Sequence, residues 1–306
     1  MIFFTKTNKN KSNKYSRYDI EKNYKEFLKL KKHKKIFLGV TVGRSGLKWV
    51  LEILRLHEGI DGGGERNANT ESFFRYSQHN KLNIDQTPLL NHIVYETLVD
   101  WENNNISFQL SPYFSHSIKF LINKIKPDGI IWGINDPFFT MQSFYNKGWY
   151  KEDFYFKKNP KQNYGLSVPD DIRINHFFGR IAPKGSFFNK WIKMTRVGKI
   201  AWFINETTKI IFKELNSYNK KKTFYFVLEK DDQNYDFYLK LMDWMKIKKK
   251  INKNKFMKIK FKGSYIYSSS ENKSIQLSNK EKKEFYSLIK DYDKIYTKIL
   301  NIKNEV

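Results

Sequence analysis

The chain is most tightly constrained by one short stretch. Ile36-Phe37-Leu38-Gly39-Val40-Thr41-Val42 is a near-continuous β-prone run, the kind buried on both faces of a sheet. Gly43-Arg44-Ser45-Gly46 ends it. From Leu47 to His57, Trp49, Val50, Ile53, Leu54 and Leu56 then follow at helical spacing. The strand–glycine turn–helix unit recurs. Ile106–Gln109 is a short strand, and Ser111-Pro112 opens a helix through Phe114, Ile118, Leu121 and Ile122, with proline at a position whose N–H has no helical partner anyway. Gly129–Ile134 is a third strand, and Asn135-Asp136-Pro137 caps a helix from Phe138 to Asn146 that Gly148 ends. Further on, the pattern predicts a long helix over Trp191–Leu215, a strand over Thr223–Leu228 and a helix over Tyr235–Met245. A short strand over Phe256–Phe261 and a final helix from Ser278 to about Leu300 complete it. Alternation at these lengths predicts an α/β fold, a parallel sheet flanked by helices.

Composition sets the limits. The 306 residues, 40% hydrophobic and 17% aromatic, suit one large globular domain or two small ones. Residues 1–35, with twelve Lys/Arg against three acids, read as a basic, flexible extension in which Leu28 and Leu30 hint at a short helix. Residues 36–306 read as a single domain, with 150–190 as a long excursion shaping a substrate site. Lys+Arg 57 against Asp+Glu 31 gives a net charge of +26, which raises nucleic acid, anionic membrane or a polyanionic ligand as partners. The surplus is mostly lysine beside abundant Asn and Ile, a mix that codons rich in A and T also produce, so charge alone assigns no partner. Zero cysteines exclude disulfides and thiolate chemistry. The N-terminus lacks the form of a signal peptide and no run approaches the ~18–20 apolar residues of a bilayer span, so a soluble, cytoplasmic protein is expected.

Ligands of open parallel sheets bind beyond the strands' C-terminal ends, and the first such end here is Gly43-Arg44-Ser45-Gly46-Leu47-Lys48-Trp49. Glycines let several backbone N–H groups converge, the helix behind adds about half a positive charge, and Arg44, Lys48 and Ser45 supply further donors. The loop suits a phosphate. It is not the nucleoside triphosphatase loop, because Gly46 is followed by Leu47 and no hydroxyl stands in register for magnesium. It also fails the dinucleotide pattern G-x-G-x-x-G.

These residues resemble a family. The loop after a buried strand is similar to the 5′-phosphosulfate loop of PAPS-dependent sulfotransferases, commonly [K/R]-S-G-T-[T/S]. Gln109-x-Ser111-Pro112-Tyr113-Phe114-Ser115 is similar to the family's E-x-S-P-Y-L-S. Ile134-Asn135-Asp136-Pro137 with Ser143 is similar to R-D-P-x-x-x-x-x-S, and the helix carrying Thr195-Arg196, Lys199 and Trp202 has the family's look. The resemblance spans roughly residues 36–300 and implies a divergent, bacterial-type member with a P-loop-NTPase-like three-layer sandwich. The activity it implies moves a sulfuryl group from PAPS to a hydroxyl or amine of a small-molecule or glycan acceptor, releasing PAP, without a metal. It further implies that Gly43, Arg44, Ser45, Gly46, Leu47, Lys48 and Trp49 hold the donor, with Arg44 at the bridging oxygen and Trp49 at the adenine. Asn135 and Ser143 would serve the 3′-phosphate, and Lys262-Gly263 would close over it.

Three departures stand out. Asn135 replaces an arginine, so a charge-assisted contact of roughly 1.5–3 kcal/mol is missing. Lys48 replaces Thr or Ser and would restore charge near the nucleotide. Gln109 replaces Glu and cannot take a proton. The base is then sought among Glu65, Glu71, His57 and His116, with Glu71 favoured slightly over His116. A family member with altered catalysis or another nucleotide is one alternative, and a basic nucleic-acid-binding protein the other. The latter lacks any recognition motif, so no specific nucleic-acid partner is expected. Six histidines without ligand spacing support no metal site, and no G-x-S-x-G elbow is present.

Overall fold

The computed structural model describes residues 14–151, 178–232, 234–257 and 275–304. Its centre is a five-stranded sheet of β1 (Lys35–Thr41), β2 (Ile60–Gly64), β3 (Ile106–Ser111), β4 (Gly129–Ile134) and β5 (Thr223–Val227), in the order β2-β3-β1-β4-β5. Every pairing is parallel, and Val40 of β1 lies opposite Ser111 of β3 and Trp132 of β4. The strands' C-terminal ends therefore open on one edge, with β1 at the centre.

Helices cover both faces. They are α1 (Ile20–Leu30), α2 (Leu47–Leu54), α3 (Ala68–His79), α4 (Thr87–Trp101), α5 (Ile118–Ile125), α6 (Pro137–Asn146), α7 (Arg196–Asn216), α8 (Tyr235–Met245), α9 (Asn279–Leu288) and α10 (Lys290–Asn304). Alternation along β1 divides the core. Ile36, Leu38 and Val40 join Trp132, Leu98 and Phe203 on one side, and Phe37 joins Val50, Ile53, Phe226 and Leu241 on the other. Helices α2 and α8 cover the second side, and α4 to α7, α9 and α10 cover the first. This is the expected three-layer α/β architecture.

Several elements differ from expectation. Residues 20–30 are not a loose extension: α1 buries Phe27, which stacks on Trp101 of α4 at 5.3 Å, and Asn23, whose amide donates to the Ser16 carbonyl. The long helix starts at Arg196 rather than Trp191, because the Thr195 hydroxyl accepts from the Gly198 N–H and caps it there. The terminal helix is broken at Ile289 into α9 and α10; Asn205 of α7 accepts from the Tyr292 N–H, tying the break to the core. Phe256 is helical, not extended. Asn252 caps its turn by accepting from the Lys255 N–H, and the ring packs on Trp49, Tyr235 and Tyr238. The rest of that expected strand, with Lys262 and Gly263, lies outside the described residues, as does most of the 150–190 excursion. No helix among the described residues is long and apolar enough to cross a membrane.

Candidate active site at the carboxyl edge of the sheet

The β1–α2 loop is built by its backbone. Gly43 (φ 118°), Arg44 (φ 59°) and Gly46 (φ 74°) all have positive φ, so the chain curls before the helix starts. The Thr41 hydroxyl accepts from the Gly43 N–H at 3.0 Å and donates to Ser45 Oγ at 2.6 Å, stapling the curl to the end of β1. Helix geometry leaves the first N–H groups of α2 without internal acceptors. The Trp49 N–H bonds the Gly46 carbonyl at 2.8 Å, closing the first turn. A curled glycine loop at a helix start can cradle an anion.

The residues expected at the nucleotide lie in different surroundings. Arg44 is exposed and its Nε donates to Ser143 Oγ of α6 at 2.6 Å, so the loop reaches the residue assigned to the 3′-phosphate. Lys48 does not: its ammonium faces the Glu65 carboxylate at 4.0 Å, on the β2 side of the loop. The positive charge at Ser143 therefore comes from Arg44 rather than Lys48. Asn135 is buried, and its Oδ1 accepts from the N–H of Asp136, which also points at the Glu229 carboxylate at 3.3 Å. Asp136 caps α6, accepting from the N–H groups of Phe138 and Phe139. Two carboxylates thus flank the place where an arginine was missed. Trp49 is a core residue: its ring lies against Phe226, Phe237 and Phe256 and is not available to an adenine. Leu47 is buried in the same cluster and can offer only its N–H.

The base candidates separate. His57 is structural; its Nδ1 contacts the Lys249 carbonyl, its ring stacks on Tyr238, and burial lowers its pKa. Glu71 is buried, accepts from the Asn67 N–H and pairs with His92 Nε2 at 3.1 Å. His116 sits behind the loop, where burial and then Arg75 and His79 hold its pKa well below the usual imidazole range. Glu65 is the one beside the loop's cations. It follows directly on β2 with φ 52°, and its N–H donates to the Leu110 carbonyl at 2.9 Å. Burial pushes its carboxyl pKa up, Lys48 and Arg44 pull it back, and Glu71 adds to the rise. A carboxylate so placed can hold a proton and reach a group lying on the loop. Sequence reasoning weighed Glu65 but preferred Glu71, since nothing in the letters shows that the Gly-rich run is a strand ending at the loop.

Gln109 has a different task. Its amide donates to Asp100 Oδ2 at 2.9 Å, beside the Ser107 hydroxyl at 2.7 Å from the same oxygen, while Arg66 binds Asp100 at 2.7 Å and Glu96 at 3.0 Å. This buried network ties α4 to the sheet. Among the described residues no group of three His, Asp or Glu is placed to hold a metal ion.

No family model matches the chain, and no curated protein matches it in sequence. Solved structures do. The sulfotransferase STF9 from Mycobacterium avium superposes with a TM-score of 0.50 at 8% identity, covering 92% of this chain and 81% of that one. The sulfotransferase domain from the curacin biosynthetic pathway gives 0.40 at 8%, covering 83% and 97%, and the comparison rests on the first. At this identity the likeness is one of architecture: the chain has the fold of a sulfotransferase.

Proposed function

We propose that the chain is a sulfotransferase that takes its sulfuryl group from PAPS. The observation that carries this reading is the β1–α2 loop, curled by positive φ at Gly43, Arg44 and Gly46 before the N-terminus of α2, with the Arg44 side chain spanning to Ser143. The fold likeness to a sulfotransferase supports it. In this reading the loop N–H groups hold the 5′-phosphosulfate. The bond from sulfur to the 5′-phosphate oxygen breaks as one to the acceptor oxygen or nitrogen forms. Arg44 stabilises the charge growing on the leaving phosphate, an interaction stronger in the transition state than before it. The acceptor proton passes to Glu65, whose raised pKa increases its hold on it. Ser143 and Arg44 together receive the 3′-phosphate, in place of the arginine that Asn135 replaces. The acceptor is a hydroxylated small molecule or glycan.

The test is thermal melting with PAP and with 5′-AMP. At about 100 times Kd, linkage predicts about 2.7 kcal/mol of stabilisation by PAP. Arg44→Ala is expected to lose the preference for PAP over 5′-AMP and to lower kcat by a factor on the order of 10²–10³. A flat melting response to PAP removes the donor assignment, and normal turnover in the variant removes Arg44 from the reaction.

A further inference from the structure

The interior behind the loop holds a charge that no described residue balances. Arg75, on α3, is fully buried. Its Nη2 donates to Thr207 Oγ1 of α7 at 3.2 Å, but Nε and Nη1 meet no acceptor. Its guanidinium lies 4.7 Å from the Phe203 ring centre and 5.9 Å from that of Tyr113. Burial lowers its pKa to about 10, opposed only by Tyr113 and Tyr150, with no carboxylate among the described residues contributing. The neighbouring histidines supply no negative charge. His79, one turn on along α3, meets His116 ring to ring at 5.5 Å, and both imidazoles are held towards neutrality by burial and by Arg75. His79 Nε2 is engaged by the Ala182 carbonyl at 2.7 Å, whereas His116 Nε2 is buried without a partner.

Buried guanidinium groups are ordinarily paired, because unmet donors and an uncompensated charge are costly away from water. Aromatic faces return only part of that. Among the described residues nothing supplies the missing anion. Its place is one side chain behind the donor loop. Pro112 stands 3.8 Å from where a Cβ on Gly43 would lie, and the next residue, Tyr113, is the one facing Arg75. Phe144 closes the other side, touching the same Gly43 position and packing on Phe203, the ring beneath Arg75.

We propose that Arg75, with the imidazoles of His79 and His116, is the receptor for an oxyanion carried by the acceptor, so that the chain acts on acidic acceptors. This rests on the sulfotransferase reading for the word acceptor; the anion receptor itself does not. A carboxylate and a sulfate ester share the required chemistry, an oxygen acceptor with negative charge.

The experiment melts PAP-saturated protein, its loop occupied, in sodium acetate or sodium sulfate against sodium chloride at matched ionic strength. Sulfate stabilises most proteins unspecifically, so the readout is the difference between the natural chain and Arg75→Met. The expected result is an oxyanion-dependent rise in Tm that the variant loses while keeping its response to PAP. A rise with acetate marks a carboxylate, and a rise with sulfate alone marks a sulfate ester. Equal responses in the two proteins overturn the proposal. Should Arg75→Met fail to fold, the guanidinium Nε–H resonance of Arg75 in the natural chain is followed through the same titrations, and an unmoved resonance overturns it equally. An oxyanion response without any response to PAP leaves the receptor standing and removes the sulfotransferase reading.

Discussion

Gly133 offers the sharpest test of how the sheet shapes the loop. It lies in β4 with ordinary extended backbone, so a side chain there meets no conformational penalty of its own. A Cβ at this position would, however, lie 2.6 Å from Ser45 Oγ and 2.6 Å from Leu47 Cγ, both in or beside the anion cradle. Ser45 and Leu47 are buried and cannot swing into solvent. Gly133→Ala must therefore push the loop outward. Overpacking of this kind costs about 1–3 kcal/mol, and breaking the bond from Thr41 to Ser45 adds about 1 kcal/mol. An unfolding entropy of about 2.1 cal/mol/K per residue gives roughly 0.6 kcal/mol/K for this chain, so a loss of about 2–4 kcal/mol lowers Tm by about 3–6 °C. Calorimetry measures that shift. Titration with PAP on the folded variant measures the functional part, expected as a loss of at least about tenfold in affinity, or 1.4 kcal/mol. A Tm within about 1 °C of the natural chain, together with unchanged PAP affinity, would show that the loop does not rest on β4 as described.

Other perturbations separate the candidate residues. Glu65→Gln should lower kcat while leaving PAP affinity nearly intact, whereas Glu71→Gln should act mainly on stability through its buried contact with His92; single-turnover transfer and melting tell them apart. Gln109→Glu, far from restoring a base, puts a second carboxylate 2.9 Å from Asp100 and should destabilise the chain by a few kcal/mol without a gain in turnover. Acid should weaken the fold early. His79 has a folded pKa lowered to about 4 by burial, and His116 is also lowered, so the unfolded chain binds more protons below its ordinary histidine pKa. Stability from these groups is present above about pH 6.5 and is lost as pH falls towards 4, on the order of 3 kcal/mol for His79. A denaturation midpoint that stays level across that window refutes their burial as neutral imidazoles.

The parts legible in the sequence were those whose pattern is set by burial on both faces. β1, β4 and β5 carry near-continuous apolar runs because helices cover the sheet on either side, while β3 alternates apolar residues with the buried Ser107, Gln109 and Ser111. β2 was not legible. Ile60-Asp61-Gly62-Gly63-Gly64 has no strand-like alternation, and the reason lies across the sheet: a Cβ on Gly62 would come within 2.1 Å of the Phe108 carbonyl oxygen of β3. Helix α4 was hidden for a related reason. Its inward face includes Glu96 and Asp100, which read as exposed but are neutralised by Arg66, a partner about thirty residues earlier. Without β2 as a strand, Glu65 could not be placed at the loop, and Glu71 looked as good. The phosphate cradle was legible because its requirement is local: glycines and donors in a short run. Arg44 reaching Ser143 was not, since it joins residues 99 apart.

That distinction between local and distant pairing also bears on what the +26 charge means. Lys220, Lys221, Lys222, Lys246, Lys248, Lys249 and Lys250 are exposed, and beyond the Debye length of about 8 Å at physiological salt their charge is largely screened. Adding or removing one such lysine changes little that a specific ligand can feel. Arg75 carries a single charge, but it is desolvated, so its field is not screened and it can be satisfied only by a group placed against it. Net charge counts both kinds equally, although their consequences differ by orders of magnitude in affinity. The partner of this chain is therefore to be sought in the few cations withdrawn from water or held at the cradle, Arg75 and Arg44, and not in the lysines that make up the sum. The prediction that divides the two views is direct: neutralising three of the exposed lysines to Gln should leave PAP and oxyanion responses as they are, and Arg75→Met alone should abolish the second.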